Sequence, residues 1–357
     1  MVAYTKTEPG PGDFQRCLDE LRPRSGMMHV ALASDEAYFP GLACAVLSIL
    51  ANTGAGGGIS FHILDGGIEE ASWRSLEKKL SSFSGEVRLR RYRLSLVEFD
   101  ELPVDHGNAL MTYARLLMPS LIREDEVIYV DADILCLRDL RDLWEEPLED
   151  NLVAACQDFN IKFLANDSLS ELAGKEAERW YFNAGFMKVN LKLWRKEDVQ
   201  GRALRLVRGG KCTWLDQTAL NSCLKGRVKY LDRGWNRFSF EVFSLPDFSE
   251  ERTNIHYVSE IKPWMYYNNK NISYVIWRLF RAKWMPNIGR PKGRLERIKG
   301  NCYGVILRVL NQWGGAGIPF SALLWLLSWN PRLQGASRWL EKQRTKIAIL
   351  KYVGSRF

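Results

Sequence analysis

The chain has 357 residues, 46% hydrophobic, 12% aromatic and 26% charged, an ordinary globular composition that excludes disordered, collagen-like and disulfide-stapled proteins. Its net charge of +8 is unevenly spread, because residues 1–270 carry 34 basic and 40 acidic side chains while residues 271–357 carry 16 basic ones against Glu296 and Glu341 alone. A mildly acidic body with a strongly basic tail directs that tail towards a polyanion, either nucleic acid or anionic lipid.

Residues 1–26 show neither the apolar segment nor the small-residue cleavage site of a secretory leader and read as a poorly ordered extension. Apolar runs then predict a buried strand at Met28–Ala33, a helix at Pro40–Leu50, a strand at Ile59–Leu64, a helix at Glu69–Leu80 and a strand at Val87–Leu94. This βαβαβ order predicts an α/β fold with a mostly parallel sheet flanked by helices. The glycine-rich loop Gly54–Gly58 follows a helix rather than a strand, so it is a connection and not a dinucleotide fingerprint.

The pattern continues with a helix at Leu110–Leu117 and strands at Val127–Val130, Leu152–Ala155 and Phe186–Val189. Helices are expected at Trp194–Val207 and Leu215–Leu224, and strand-like pieces at Val228–Leu231 and Asn254–Val258. From residue 271 the chain is rich in Trp, Leu, Lys and Arg, and prolines and glycines cut it into short pieces expected to be amphipathic helices. The longest apolar run there, Ile318–Trp329, is too short to span a bilayer. Seven cysteines without a Cys-x-x-Cys pair read as buried thiols in a reducing, cytoplasmic setting.

The sharpest chemical feature is Val127-Ile-Tyr-Val-Asp131-Ala132-Asp133, a strand whose carboxyl end delivers two carboxylates one residue apart. Ligands of open α/β sheets bind beyond such strand ends, and paired carboxylates there suit a hard divalent cation that bridges to phosphates. Capping of the following turn is the competing structural reading. Four further stretches have both a structural and a functional reading. Arg115, in Thr-Tyr-Ala-Arg-Leu-Leu, is a snorkelling residue, a buried ion-pair partner or an anion binder. Asn183, in Phe-Asn-Ala-Gly-Phe, forms a turn before a strand or binds a hydroxyl; Asp216 and Gln217 cap a helix or bind substrate. His256 and Lys262, in His-Tyr-Val-Ser-Glu-Ile-Lys-Pro-Trp, close the set as a histidine and a lysine available to a ligand, and in isolation the histidine reads as structural.

In this combination and order, from about Met28 to Trp264, the chain resembles family 8 of the retaining glycosyltransferases, which includes lipopolysaccharide galactosyl- and glucosyltransferases and glycogenin. The resemblance implies a GT-A fold over residues 27–270, a UDP-glucose or UDP-galactose donor, and Mn2+ or Mg2+ as cofactor. It carries the metal-ligand role to Asp131, Asp133 and His256, with Ala132 between the aspartates in the donor-binding set. Lys262 corresponds to a diphosphate-binding lysine and Asp35 to a nucleotide-binding acid. Arg115, Asn183, Asp216 and Gln217 correspond to residues around the donor sugar, and Asp158 to an acid near the reaction centre. Two positions depart from the family pattern: Ala37 stands where an asparagine is frequent, and Ser259 where glycine is frequent.

The acceptor implied is a saccharide or lipid-linked intermediate of bacterial lipopolysaccharide or surface polysaccharide. In that setting residues 271–357 would attach the enzyme peripherally to an anionic membrane, and no nucleic acid is expected. The rival readings are a sugar-nucleotide binder with weakened catalysis, raised by Ala37 and Ser259, and an Asp-x-Asp phosphotransferase. The latter favours Thr or Val two residues after the second Asp, where Leu135 stands.

Overall fold

The computed structural model describes residues 26–53, 57–95, 99, 101–103, 109–158, 180–210, 212, 214–242, 253–258, 262–265 and 272–285. The expectations for residues 1–25, for Ser259 and for the tail beyond residue 285 lie outside the described residues. Among the described residues the chain divides into two compact units, one running to Arg237 and including Thr253–His256, the other formed by the remainder.

The first unit is built on a sheet. Strand β1 (Met28–Ser34) and β2 (Ile59–Asp65) are buried along their whole length, which is why they read as continuous apolar runs rather than alternating ones. Between them α1 (Phe39–Asn52), opened by Pro40, buries most of its residues. Helix α2 (Glu70–Leu80) buries Trp73, Leu76 and Leu80 on one stripe and leads to β3 (Val87–Arg93). Strand β3 forms one edge of the sheet, and its four arginines, interleaved with Val87, Leu89 and Tyr92, discourage pairing with another chain.

A 3-10 helix (Ala109–Leu117) runs into α3 (Met118–Leu121) and then β4 (Glu126–Val130). Strand β5 (Ile134–Leu135), α4 (Leu140–Trp144), β6 (Val153–Gln157) and β7 (Phe182–Asn190) follow. Three helices, α5 (Leu191–Lys196), α6 (Val199–Arg208) and α7 (Leu215–Leu224), precede β8 (Val228–Leu231), β9 (Arg237–Phe238) and β10 (Ile255–His256). The main sheet has seven strands in the order β3-β2-β1-β4-β7-β6-β8. All neighbours are parallel except β7, which runs against both β4 and β6. The strand order reverses between β1 and β4, and the crevice beyond their carboxyl ends is where such a sheet takes ligands.

Three expectations are corrected. Asn183 and Gly185 do not form a turn before a strand; β7 begins at Phe182 and contains both. Side-chain amide bonds from Asn221 to both the N–H and the C=O of Phe182 hold that first residue as a ladder would. The single helix expected at Trp194–Val207 is two, broken where Asp198 adopts φ +48° and its carboxylate caps Gly201 N–H at 3.1 Å. The piece expected at Asn254–Val258 is a strand only at Ile255–His256.

In the second unit the first of the expected tail helices is α8 (Ile272–Trp284), with Tyr274–Trp277, Leu279 and Phe280 all enclosed. The Tyr257 hydroxyl donates to Ser273 O at 2.6 Å, and Trp264 packs on Trp277 with ring centroids 5.6 Å apart. No helix of the described residues is long and apolar enough to cross a membrane.

One buried cation fastens the sheet to the segment that follows α4. Lys188 of β7 is 1% exposed, and its Nζ donates to the carbonyls of Trp144 (2.8 Å) and Glu146 (2.7 Å) and pairs with Glu126 (3.1 Å). Lys188→Met keeps the stem and abandons both carbonyls, so urea denaturation is expected to register a loss of about 2–3 kcal/mol.

Candidate active site

The β1–β4 register, Val30 opposite Ile128 and Ala31 opposite Tyr129, sets the carboxyl ends of the two strands side by side, with Asp35 just past β1 and Asp131 and Asp133 just past β4. The chain reverses after Asp131, where Ile134 N–H closes on Asp131 O at 3.1 Å, and β5 then pairs antiparallel with β10, His256 opposite Ile134. That short ladder delivers a histidine from far along the chain to the aspartates. His256 Nε2 lies 3.2 Å from Asp133 Oδ1 and 3.9 Å from Asp131 Oδ2. Two groups of three among the described residues hold ligand atoms within 4.8 Å of one another: Asp131, Asp133 and His256, and separately His29, His62 and Glu124.

The first group fits a divalent cation on two counts. Two carboxylates and an imidazole suit Mn2+ chemically. Gly185 of β7 lies against the group so closely that a Cβ there would run into His256 Cε1 and lie 2.6 Å from Asp131 Oδ2; only the missing side chain leaves the ligand atoms room.

Arg115 resolves in favour of the buried ion pair. Its guanidinium, 6% exposed, meets Asp131 Oδ1 and Asp216 Oδ2, each at 3.0 Å, lies over the Tyr129 ring and donates to Ala184 O. Burial alone would pull its pKa down, but Asp131 and Asp216 more than offset this and hold it above the ordinary arginine value. Burial pushes the carboxyls of Asp131 and Asp216 up, and Arg115 opposes the rise in both. Asp216 does not cap its helix: it lies in the first turn of α7, 2% exposed, behind Leu215 at φ +47°. That left-handed conformation costs a branched residue about 1–2 kcal/mol. Thr112 Oγ1 donates to its other oxygen.

Asp158, at the end of β6, receives the amides of Asn183 (3.0 Å) and Gln217 (3.1 Å) on one oxygen. Gln217 accepts from Ala184 N–H at 2.9 Å, Asn183 accepts from Gly185 N–H at 3.0 Å and from Asn236 Nδ2 at 2.8 Å, and Asn236 Oδ1 lies 2.9 Å from His256 Nδ1. One polar network therefore joins Gln217, Asp158, Asn183, Asn236 and His256. Ala132 is buried between the aspartates. Asp35 is half-buried and accepts from Tyr38 N–H at 2.9 Å, and Ala37 beside it is exposed. Lys262 belongs to the second unit, where it is buried and donates to Tyr257 O at 2.8 Å.

Sequence reasoning missed Tyr129, whose hydroxyl donates to Asp131 at 2.8 Å, and Asn236 behind His256. Tyr129 was open to inspection, two residues before Asp131 and so on the same strand face; Asn236 lies in an irregular stretch without periodicity.

The sequence pattern of glycosyl transferase family 8 matches residues 29–268, a span that contains every one of these side chains. The chain belongs to that family. Among similar proteins, a putative glycosyltransferase of Haemophilus influenzae is 31% identical over 223 residues, 60% of this chain and 64% of that one, so the match spans less than two thirds of that relative's length. The lipopolysaccharide 1,3-galactosyltransferase of Salmonella typhimurium is 25% identical over 250 residues, 66% of this chain and 72% of that one. The crystal structure of a galactosyltransferase, LgtC, in complex with donor and acceptor sugar analogues superposes with a TM-score of 0.61 at 25% identity, covering 72% of this chain and 96% of that one. The mostly parallel sheet flanked by helices is thus the GT-A fold of this family, and within it the Asp131–Asp133–His256 group is suited to a divalent metal.

Gly185 offers a direct check. Gly185→Ala is expected to lower metal-dependent sugar transfer by more than about tenfold, while the melting temperature stays close to that of the parent, since the clash falls on the ligand side chains and not on the core. Unaltered transfer would mean that the ligand atoms need no such clearance.

Proposed function

We propose that this family 8 enzyme transfers a hexose, glucose or galactose, from a UDP-sugar to a saccharide or lipid-linked acceptor in surface-polysaccharide or lipopolysaccharide synthesis, with retention at the anomeric carbon. The observation that carries this reading is the convergence of Asp131, Asp133 and His256, from the β4–β5 turn and β10, on one small volume. Asp131, Asp133 and His256 would hold Mn2+ or Mg2+, which supplies a Lewis acid for the charge that builds on the departing diphosphate. The family resemblance gives Lys262 a diphosphate-binding role and Asp35 a contact to the nucleoside.

Arg115 opposes the rise that burial imposes on the Asp131 carboxyl while pairing with Asp216, so its part is to position both carboxylates. Asp216 and Asn183 face the donor sugar, with Asp158 beside them. Gln217 has its oxygen on Ala184 N–H and its amide nitrogen on Asp158. An amide so engaged is a poor nucleophile, which favours attack by the acceptor from the leaving-group face over a covalent intermediate on Gln217.

Asp133→Ala removes one carboxylate from the trio. Assayed with saturating Mn2+ and a panel of UDP-sugars, it is expected to lose at least about a hundredfold in turnover. A rate equal to the parent's would discard the metal role. For the basic tail, each Lys or Arg near an anionic surface contributes about 1 kcal/mol of attraction, so the full chain is expected to sediment with phosphatidylglycerol liposomes. A chain ending after residue 285 is expected to stay in the supernatant.

A further inference from the structure

At the opposite end of the strands that carry the active site lies a second polar group that the proposed chemistry leaves unused. His29 stands near the start of β1, His62 midway along β2, and Glu124 just ahead of β4. The parallel register, His29 opposite Ser60 and Ala31 opposite His62, turns both imidazoles onto one sheet face as diagonal neighbours. Glu124 precedes β4 and Asp131 follows it, so the two groups are separated by the strand's length, on the order of 20 Å.

The geometry of this group is that of a chelate. His29 Nδ1 lies 3.1 Å from His62 Nε2 and 3.8 Å from Glu124 Oε1; ligands about 2.0–2.1 Å from a shared tetrahedral ion are separated by about 3.3 Å. Burial, reinforced by His29 and Arg90, holds His62 well below the ordinary histidine pKa. His29 is lowered too, by burial against the opposing pull of Glu124. The two facing nitrogens share one hydrogen bond, so ligation by both moves that proton to the far nitrogen of its ring or releases it. The Tyr92 hydroxyl lies 3.0 Å from His62 Nδ1, the kind of outer partner that fixes a ligating ring. Arg90 donates to Glu124 Oε1 at 2.9 Å and steadies the carboxylate, yet Glu124 Oε2 is buried without a hydrogen-bond partner. A buried carboxylate oxygen left in that state is costly, and a cation beside the carboxylate would offset that cost.

We propose that His29, His62 and Glu124 hold a second metal ion, a transition cation of the zinc class, which pins β1 and β2 to the entry of β4 at the end of the sheet remote from Asp131. Two imidazoles and one carboxylate are a zinc donor set, with water completing the tetrahedron, and imidazole donors select against Mg2+ and Ca2+. The role is structural. The ion cross-links strands that are distant in sequence, and it stabilises the fold because the unfolded chain does not assemble the site.

The test uses the untagged full chain carrying Asp133→Ala, so that the first site does not compete, stripped with a chelator and titrated with Zn2+ in a calorimeter. One ion is expected to bind and to raise the melting temperature, and Co2+ is expected to give the intense visible absorption of tetrahedral coordination. Adding His62→Gln should abolish binding, and adding Glu124→Gln should weaken it by more than about tenfold. Glu124→Gln is nearly isosteric and carries the comparison if the histidine variant does not fold. No uptake by the Asp133→Ala chain, or uptake indifferent to Glu124→Gln, overturns the proposal and leaves the histidines as a neutral hydrogen-bonded pair. Sugar transfer is not part of this readout, so its outcome is independent of the function proposed above.

Discussion

The arrangement depends on one guanidinium. Asp131, Asp133 and Asp216 are brought together in a buried corner of the fold, where an isolated carboxylate would sooner take up a proton than remain charged. Arg115 meets two of the three. One guanidinium does not balance three carboxylates, and the cation that Asp131, Asp133 and His256 are suited to take would supply further positive charge. A lysine would not serve in place of Arg115, because meeting Asp131, Asp216 and the Ala184 carbonyl at once needs the planar, multiply donating head of arginine.

The backbone delivers these groups by separate routes, each with a local cause. Asp131 and Asp133 follow a buried parallel strand at the point where the sheet order reverses. His256 arrives on a two-residue strand whose partner, β5, immediately follows Asp133. Asn254 secures that crossing by accepting from the N–H groups of Leu137 and Arg138 and donating to Trp235 O. Asp216 is turned inward by a leucine in a conformation that leucine disfavours. Local strain of this kind persists where the surroundings over-determine it, and here the surroundings are the Arg115 and Thr112 contacts to Asp216 itself.

Much of this was legible in the sequence, and the gaps have physical reasons. Strands β1, β2 and β3 and helices α1, α2 and α7 follow directly from apolar runs and helical spacing, because nothing in their tertiary setting contradicts their local pattern. Strand β7 was foreseen only from Phe186 onward, since Asn183 and Gly185 are poor strand formers that β7 tolerates because neighbouring side chains satisfy their surroundings. The break at Asp198 is invisible to periodicity, as the apolar spacing continues across it. Of the candidate residues, Asp131, Asp133 and His256 do share one volume, but the use of Arg115 as an internal counter-charge could not be chosen from sequence among its three readings. His29 and His62 drew no attention because a histidine inside an apolar strand looks like any other core residue until its neighbour across the sheet is known.

The network behind His256 also settles how that ring presents itself, and the argument starts from groups whose orientation is not in question. The backbone N–H of Gly185 can only donate, so the atom of Asn183 that it meets is the oxygen, and the Asn183 nitrogen turns to Asp158. Asn236 must then offer its nitrogen to that same Asn183 oxygen, which leaves its own oxygen facing His256 Nδ1. The proton of a neutral His256 is thereby assigned to Nδ1, and the lone pair to Nε2, the atom nearest both aspartates. The residue before Gly185 in β7, Ala184, fixes Gln217 in the same way through its N–H. Two successive backbone donors on one strand thus determine both the tautomer of the histidine and the orientation of the glutamine, which explains why Asn183-Ala184-Gly185 is built into a strand and not into the looser turn that its composition suggests.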